Sequence, residues 1–226
     1  MQKMRVFLKG LILFVGLSIL AACGGSQRFV ELRQEQPSTY YLYVPEAYAE
    51  SKQWPLFIAL PDSSQDSEDC INDWFEIAED NQFFLLCPEL STTGRSIDGP
   101  ASERLLASIL NRLYQDYSLR TSFFLVGKSE AADFALSYAY RYPRAINAVS
   151  AITPAEYPSG VATTNFPILI IVEQGDSQAS EAGNAFIQRL TGGGTQTRLL
   201  EIENLRGRIP YSVQRLTVDF FEQVSR

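Results

Sequence analysis

Short apolar runs and apolar stripes of helical spacing alternate along most of this chain. Residues 55–60, 83–87 and 123–126 are continuous apolar runs of strand length, the pattern of strands buried on both faces. Residues 146–152 and 167–172 read as two more strands, and 197–202 as the last. Near the start, 29–32 and 39–44 read as strands with one wetter face. In the second of these, Tyr40, Leu42 and Val44 alternate with Tyr41 and Tyr43. Between the strands the spacing becomes helical. Ile71, Trp74, Phe75 and Ile77 share one face of 70–80. Leu105, Leu106, Ile109, Leu110 and Leu113 line 102–117, with Pro100 near its start. A helix over 130–142 is stopped by Pro143, and one over 181–190 ends at Gly192-Gly193-Gly194. Residues 212–224 form a last amphipathic helix. Strand and helix alternate with short connections, which predicts the α/β class: an open, mostly parallel sheet with helices on both faces. No insertion is long enough for a large lid.

The first residues break this pattern. Lys3, Arg5 and Lys9 precede an apolar run over 11–22 that ends Leu20-Ala21-Ala22-Cys23. A positive segment followed by an apolar segment of this length is a secretory signal, too short for a membrane-spanning helix. Small residues closing on a cysteine resemble the lipobox of bacterial lipoproteins. That resemblance implies removal of 1–22, acylation of Cys23 and a short tether over 23–28, leaving one domain over 29–226. A plain cleaved signal or an uncleaved anchor is the alternative. Gly24 rather than Asp after the cysteine implies the outer membrane in a host that has one, facing the periplasm or the cell surface.

Charge narrows the partners. The chain has 226 residues and a formal charge of −7. Removing Lys3, Arg5 and Lys9 from 19 basic residues leaves 16 against 26 acidic ones, a charge of −10. A body that acidic is a poor candidate for nucleic acid or an anionic membrane surface. The remaining expected contacts are the membrane through its lipid, an envelope protein, or a small apolar ligand. There is no histidine. The commonest general base and the commonest metal ligand are therefore missing, and neither a metal nor a cofactor is expected. Cys70 and Cys87 remain after Cys23. Export permits a disulfide, and the element order brings both cysteines to the carboxyl edge of neighbouring strands. One bridge is expected, with two buried free thiols as the alternative.

The chemistry concentrates at Phe123-Phe124-Leu125-Val126-Gly127-Lys128-Ser129-Glu130-Ala131. An apolar strand, G-x-S-x-A and a helix form the context of a nucleophile elbow. The turn would lift Ser129 to the carboxyl edge of the sheet and set the Glu130 amide at a helix N-terminus. An ordinary strand-to-helix turn with Ser129 as a cap is the bland reading. With Tyr40-Tyr41-Leu42-Tyr43-Val44-Pro45, Trp54-Pro55-Leu56-Phe57-Ile58-Ala59-Leu60 and Tyr142-Pro143, this segment resembles the α/β-hydrolase superfamily. It is most similar to compact lidless esterases related to polyhydroxybutyrate depolymerases and feruloyl esterases. The resemblance spans roughly 29–226 and implies an α/β-hydrolase fold and a Ser-acid-His relay.

Three positions depart from that pattern. Such esterases have His-Gly after the strand at 55–60, where the loop helps bind an oxyanion. This chain has Pro61-Asp62, a residue with no amide donor followed by a carboxylate. Asp176, in Gln174-Gly175-Asp176, occupies the acid position, although Gly-Asp is also a plain turn signal. Arg208, in Leu205-Arg206-Gly207-Arg208, stands where the histidine is expected. A guanidinium cannot accept the serine proton, so the relay is broken at its centre. Arg208 is expected to pair with Asp176. Lys128 and Glu130, adjacent to Ser129 in the elbow, are expected to point away from it.

Residues 53–94 hold nine acids and no Lys or Arg. They read as a solvated face, or else as a docking surface for a basic partner. A calcium site lacks the D-x-D-x-D-G spacing. The whole chain reads as a cell-envelope lipoprotein whose hydrolase-like domain is catalytically degenerate and binds a partner or ligand. The alternatives are a serine esterase with a non-histidine base acting through Ser129, and a purely structural lipoprotein.

Overall fold

The computed structural model describes residues 31–35, 38–90, 97, 99–159, 165–190 and 196–225. The expected signal, Cys23 and the tether lie outside them. The strands are β1 Glu31–Glu35, β2 Ser38–Tyr43, β3 Leu56–Leu60, β4 Phe84–Pro88, β5 Phe123–Lys128, β6 Ile146–Ile152, β7 Ile168–Glu173 and β8 Thr197–Ile202. The helices are α1 Ser67–Asp80, α2 Gly99–Asp116, α3 Glu130–Arg141, α4 Ser177–Arg189 and α5 Tyr211–Val224. A 3-10 turn at Pro143–Ala145 follows α3, as a proline two residues beyond a helix end favours. Among the described residues no helix is long and apolar enough to cross a membrane.

All eight strands form one sheet in the order β1-β2-β4-β3-β5-β6-β7-β8. From β4 to β8 the strands are parallel, and the β1–β2 hairpin adds antiparallel to β4. The chain runs from β3 outward to β4, then crosses back to place β5 on the other side of β3. The strand order therefore reverses between β3 and β5. In open α/β sheets that switch point opens a crevice beyond the carboxyl ends of the strands.

Strand alternation divides the core in two. Leu56, Ile58 and Leu60 of β3 face a cluster that includes side chains of α2, α3 and α4. Phe57 and Ala59 face the opposite cluster, with Trp74 of α1 and Phe221 of α5. Every residue of β3, β4 and β5 is buried, which is why these runs carry no polar alternation. The rings of Phe124 and Phe221 stack with centroids 4.8 Å apart, and Phe57 lies 5.7 Å from Phe221. They fasten α5 to the middle of the sheet.

The main departures from the sequence reading lie at element ends. α1 begins at Ser67 because Asp66 caps it, its carboxylate accepting the Asp69 N–H at 2.8 Å. α4 begins at Ser177, earlier than its apolar stripe suggests, because Asp176 caps it in the same way. β5 extends through Gly127 and Lys128 to the elbow itself. The expected bridge is present: Cys70 of α1 is joined to Cys87 of β4, with Cα atoms 6.0 Å apart. Both residues are buried.

Candidate functional site

Ser129 sits between β5 and α3 with φ 52° and ψ −126°, a conformation costly for a residue with a side chain. Its amide donates to the Ile152 carbonyl at 2.9 Å, and its own carbonyl accepts from Ala132 and Asp133. The chain therefore leaves the strand, reverses and enters the helix within one residue. Gly127 makes this possible. A Cβ there would fall 2.2 Å from the Ala131 carbonyl oxygen and 2.8 Å from the Ala132 nitrogen. The Ser129 side chain does not cap α3, so the bland reading of Ser129 as a cap is set aside. The elbow geometry inferred from G-x-S-x-A is present.

The two neighbours of Ser129 do something the sequence did not reveal. Both grip the loop after β3. The Lys128 ammonium lies 3.4 Å from the Asp62 carboxylate, with side chains only 11% and 5% exposed. It also donates to the Gly207 carbonyl in the loop after β8. Glu130 accepts the backbone N–H of Ser63 with its carboxylate. Consecutive residues Asp62 and Ser63 are thus held by the residues either side of Ser129. Asp62 is further occupied as an acceptor for the Ser64 N–H at 2.8 Å and the Ser64 hydroxyl at 2.5 Å. Pro61 is buried and offers no amide. The switch-point crevice between the β3 and β5 loops is bridged from both sides.

The expected pairing of Arg208 with Asp176 does not form. Arg208 turns to α1, where its Nε donates to Asp73 at 2.8 Å and its terminal nitrogen binds the same oxygen. The Asp73 side chain is 7% exposed and also accepts from Gln65 at 2.6 Å. This buried anion outcompetes the exposed Asp176 for the guanidinium, and it raises the Arg208 pKa further above its ordinary value. Asp176 instead caps α4, accepting the Ala179 N–H at 3.0 Å. The acidic stretch is consequently not all solvated face: Asp62 and Asp73 are internal partners of Lys128 and Arg208.

Glu173, at the end of β7, was not singled out from sequence. Its two carboxylate oxygens accept the Asn204 and Leu205 N–H groups at 2.9 and 2.7 Å, tying β7 to the loop after β8. No pattern marks a strand-terminal glutamate for that task. Asp133 of α3 performs a similar one, accepting the Ala155 and Glu156 N–H groups at 2.8 and 3.0 Å. Burial pushes its carboxyl pKa up, against the opposing effect of those two amides.

A cleft of about 1060 Å³ opens at this edge, over the ends of β5 to β8. Ser129, Asp176 and Lys128 share its wall with Gln174, Asn204 and Arg206, and Leu205 is its one aliphatic side chain. No residue of the 61–66 loop lines it. The opening is displaced from the bridged crevice toward β8. A smaller recess of about 320 Å³ adjoins it behind Asp176 and is walled in part by Pro154, Ala155 and Ala182. Among the described residues six have a left-handed φ, and Ser129, Thr153, Gly175, Asn204 and Gly207 all line the cleft. Such strain gathers where a site is held open. Among the described residues no cluster of His, Cys, Asp or Glu is placed to hold a metal ion.

No family model matches the chain, and no curated protein matches it in sequence. Solved structures match it in fold. A thermostable esterase gives a TM-score of 0.61 at 13% identity, over 86% of this chain and 62% of that one. The chain thus spans under two thirds of that esterase's length. S-formylglutathione hydrolase from Agrobacterium tumefaciens gives 0.63 at 15% identity, over 86% and 93%. Est1E from Butyrivibrio proteoclasticus gives 0.64 at 14% identity, over 84% and 95%. The sheet order, the elbow and these likenesses define the class: the chain has the α/β-hydrolase fold.

Proposed function

We propose that this domain no longer performs acyl transfer and uses the cleft beside Ser129 as a binding site, carried in the cell envelope on an acylated Cys23. One observation supports it above the others: the relay positions are occupied by groups committed elsewhere. Arg208 is bound to Asp73, Asp176 caps α4, and Lys128 donates to Asp62 and Gly207. A protonated amine held by a carboxylate and a carbonyl has no lone pair for a serine proton. The Ser63 amide is already filled by Glu130.

A serine hydrolase with a non-histidine base is the competing reading, and the strained elbow favours it. Hydrolysis of p-nitrophenyl acetate by the mature protein separates the two. The proposal expects rates equal to those of Ser129→Ala; a rate that collapses in that variant overturns it. The hydrogen-bonding wall of the cleft favours a polar ligand over the small apolar one expected for a pocket at the elbow. The lipid anchor rests on Leu20-Ala21-Ala22-Cys23 alone. Metabolic incorporation of labelled palmitate, abolished by Cys23→Ser, is the expected result; unlabelled wild-type protein contradicts it.

A further inference from the structure

On the reading of the cleft as a binding site, on which this rests, we propose that Arg206 makes it a receptor for a small organic acid. The guanidinium takes the ligand's carboxylate, and side-chain amides and hydroxyls of the wall take a hydroxylated body. Among the described residues, the ionisable ones lining the cleft are Lys128, Glu173, Asp176 and Arg206. The first three are spent on the fold. Lys128 is held by Asp62 and by the Gly207 carbonyl. Both oxygens of Glu173 accept backbone amides, and Asp176 caps α4. Arg206 is exposed, and among the described residues its guanidinium has no hydrogen-bond or ion-pair partner.

The loop after β8 is fastened on both sides of Arg206. Glu173 holds the amides at 204 and 205, and Lys128 holds the carbonyl at 207. Left-handed turns bracket it, with φ of 64° at Asn204 and 85° at Gly207. Leu205 is buried in the core cluster of α1 and α5, and Arg208 is bound to Asp73. Of residues 205–208, only 206 has a side chain not already engaged. A segment held this way has little freedom left to lose on binding, and a guanidinium offers a carboxylate two parallel N–H donors. Gln174, Gln178 and Asn204 share the wall with Ser129, Thr153 and Ser177. Amides and hydroxyls both donate and accept, as the hydroxyls of a polyol do. The body is acidic overall and repels anions at long range, so an anion retained in the cleft is retained by a local contact.

Gluconate, sorbitol and glucamine test this, since they share one carbon chain and carry a carboxylate, a hydroxymethyl or an aminomethyl group at the same end. Each is titrated into the isotope-labelled mature protein and followed by NMR. Gluconate should shift the Asn204, Leu205 and Gly207 amides saturably at millimolar concentration. It should bind at least about tenfold more tightly than sorbitol, the worth of one charge-assisted contact. Arg206→Gln should lower gluconate affinity by about the same factor and leave sorbitol unchanged. Arg206→Lys should restore only part of the loss, because an ammonium lacks the planar fork. Both variants should melt with wild type, and a lower melting temperature would assign the side chain to the fold and overturn its role as a free receptor. Gluconate that does not bind, or binds no better than sorbitol, overturns the carboxylate site. Glucamine binding best assigns the cleft to Glu173 and Asp176 and overturns it too. Undiminished gluconate affinity in Arg206→Gln overturns the role of Arg206. Ser129-dependent hydrolysis of p-nitrophenyl acetate would defeat the proposed function and leave the order of these three affinities unchanged, so the two failures are distinguishable.

Discussion

At the scale of single residues the site is built from commitments. Gly127 is demanded by the approach of α3, and Gly127→Ala should destabilise the fold by about 3 kcal/mol or more, since backbone must move to admit the methyl group. Ser129→Gly should do the opposite, gaining roughly 1 kcal/mol as the positive φ is relieved. Urea unfolding reads both, and a Ser129→Gly variant no more stable than wild type would remove the strain argument. Lys128 and Asp62 form a buried pair, so Lys128→Met alone should cost about 3–5 kcal/mol. The double variant Lys128→Met with Asp62→Leu should recover most of that cost. A simple sum of two losses would show that the pair is not coupled. Arg208→His should not create hydrolysis, because the side chain at 208 is directed to Asp73 of α1 and Asp176 is committed to capping α4. At this scale the sequence was half legible. G-x-S-x-A announced the elbow because its geometry is local. The destinations of Lys128 and Arg208 were not visible, because their partners Asp62 and Asp73 come from the β3–α1 region, 135 positions away for Arg208.

At the scale of elements, the alternation of apolar runs and helical stripes foretold the α/β order, because each buried strand must be apolar throughout. The helix starts were missed where capping carboxylates, not apolar residues, mark them: Asp66 before α1 and Asp176 before α4. The Cys70–Cys87 bridge was legible because adjacent parallel strands end at one edge. It closes a separation of 17 residues. Its removal in a Cys70→Ala, Cys87→Ala variant should cost on the order of 3 kcal/mol in the chain-entropy account. Calorimetry with and without reductant checks this, and equal melting temperatures would mean that the bridge contributes nothing. α1 carries both that bridge and Asp73, so the same helix that is stapled to β4 also draws Arg208 away from the serine.

For the molecule as a whole, alkaline pH tests the packing around α3 and α4. Burial pushes Tyr138 and Tyr157 up to about 12 and Tyr140 higher still. An unfolded tyrosine ionises near pH ~10. Below that value both states are protonated and these groups contribute no slope. Above it only the unfolded chain releases protons, so stability should fall between pH ~10 and about 12. Urea midpoints followed with tyrosinate absorbance should show that decline, and a flat profile would contradict the burial. The fold as a whole sets the elbow and the cleft at the carboxyl edge of the sheet, while the charged residues around them serve as fastenings. That claim is tested most directly by labelling the folded mature protein with a serine-directed fluorophosphonate, beside Ser129→Ala. The account predicts no label in either protein. A label on wild type that vanishes in Ser129→Ala would mean that the serine is activated, and would contradict it.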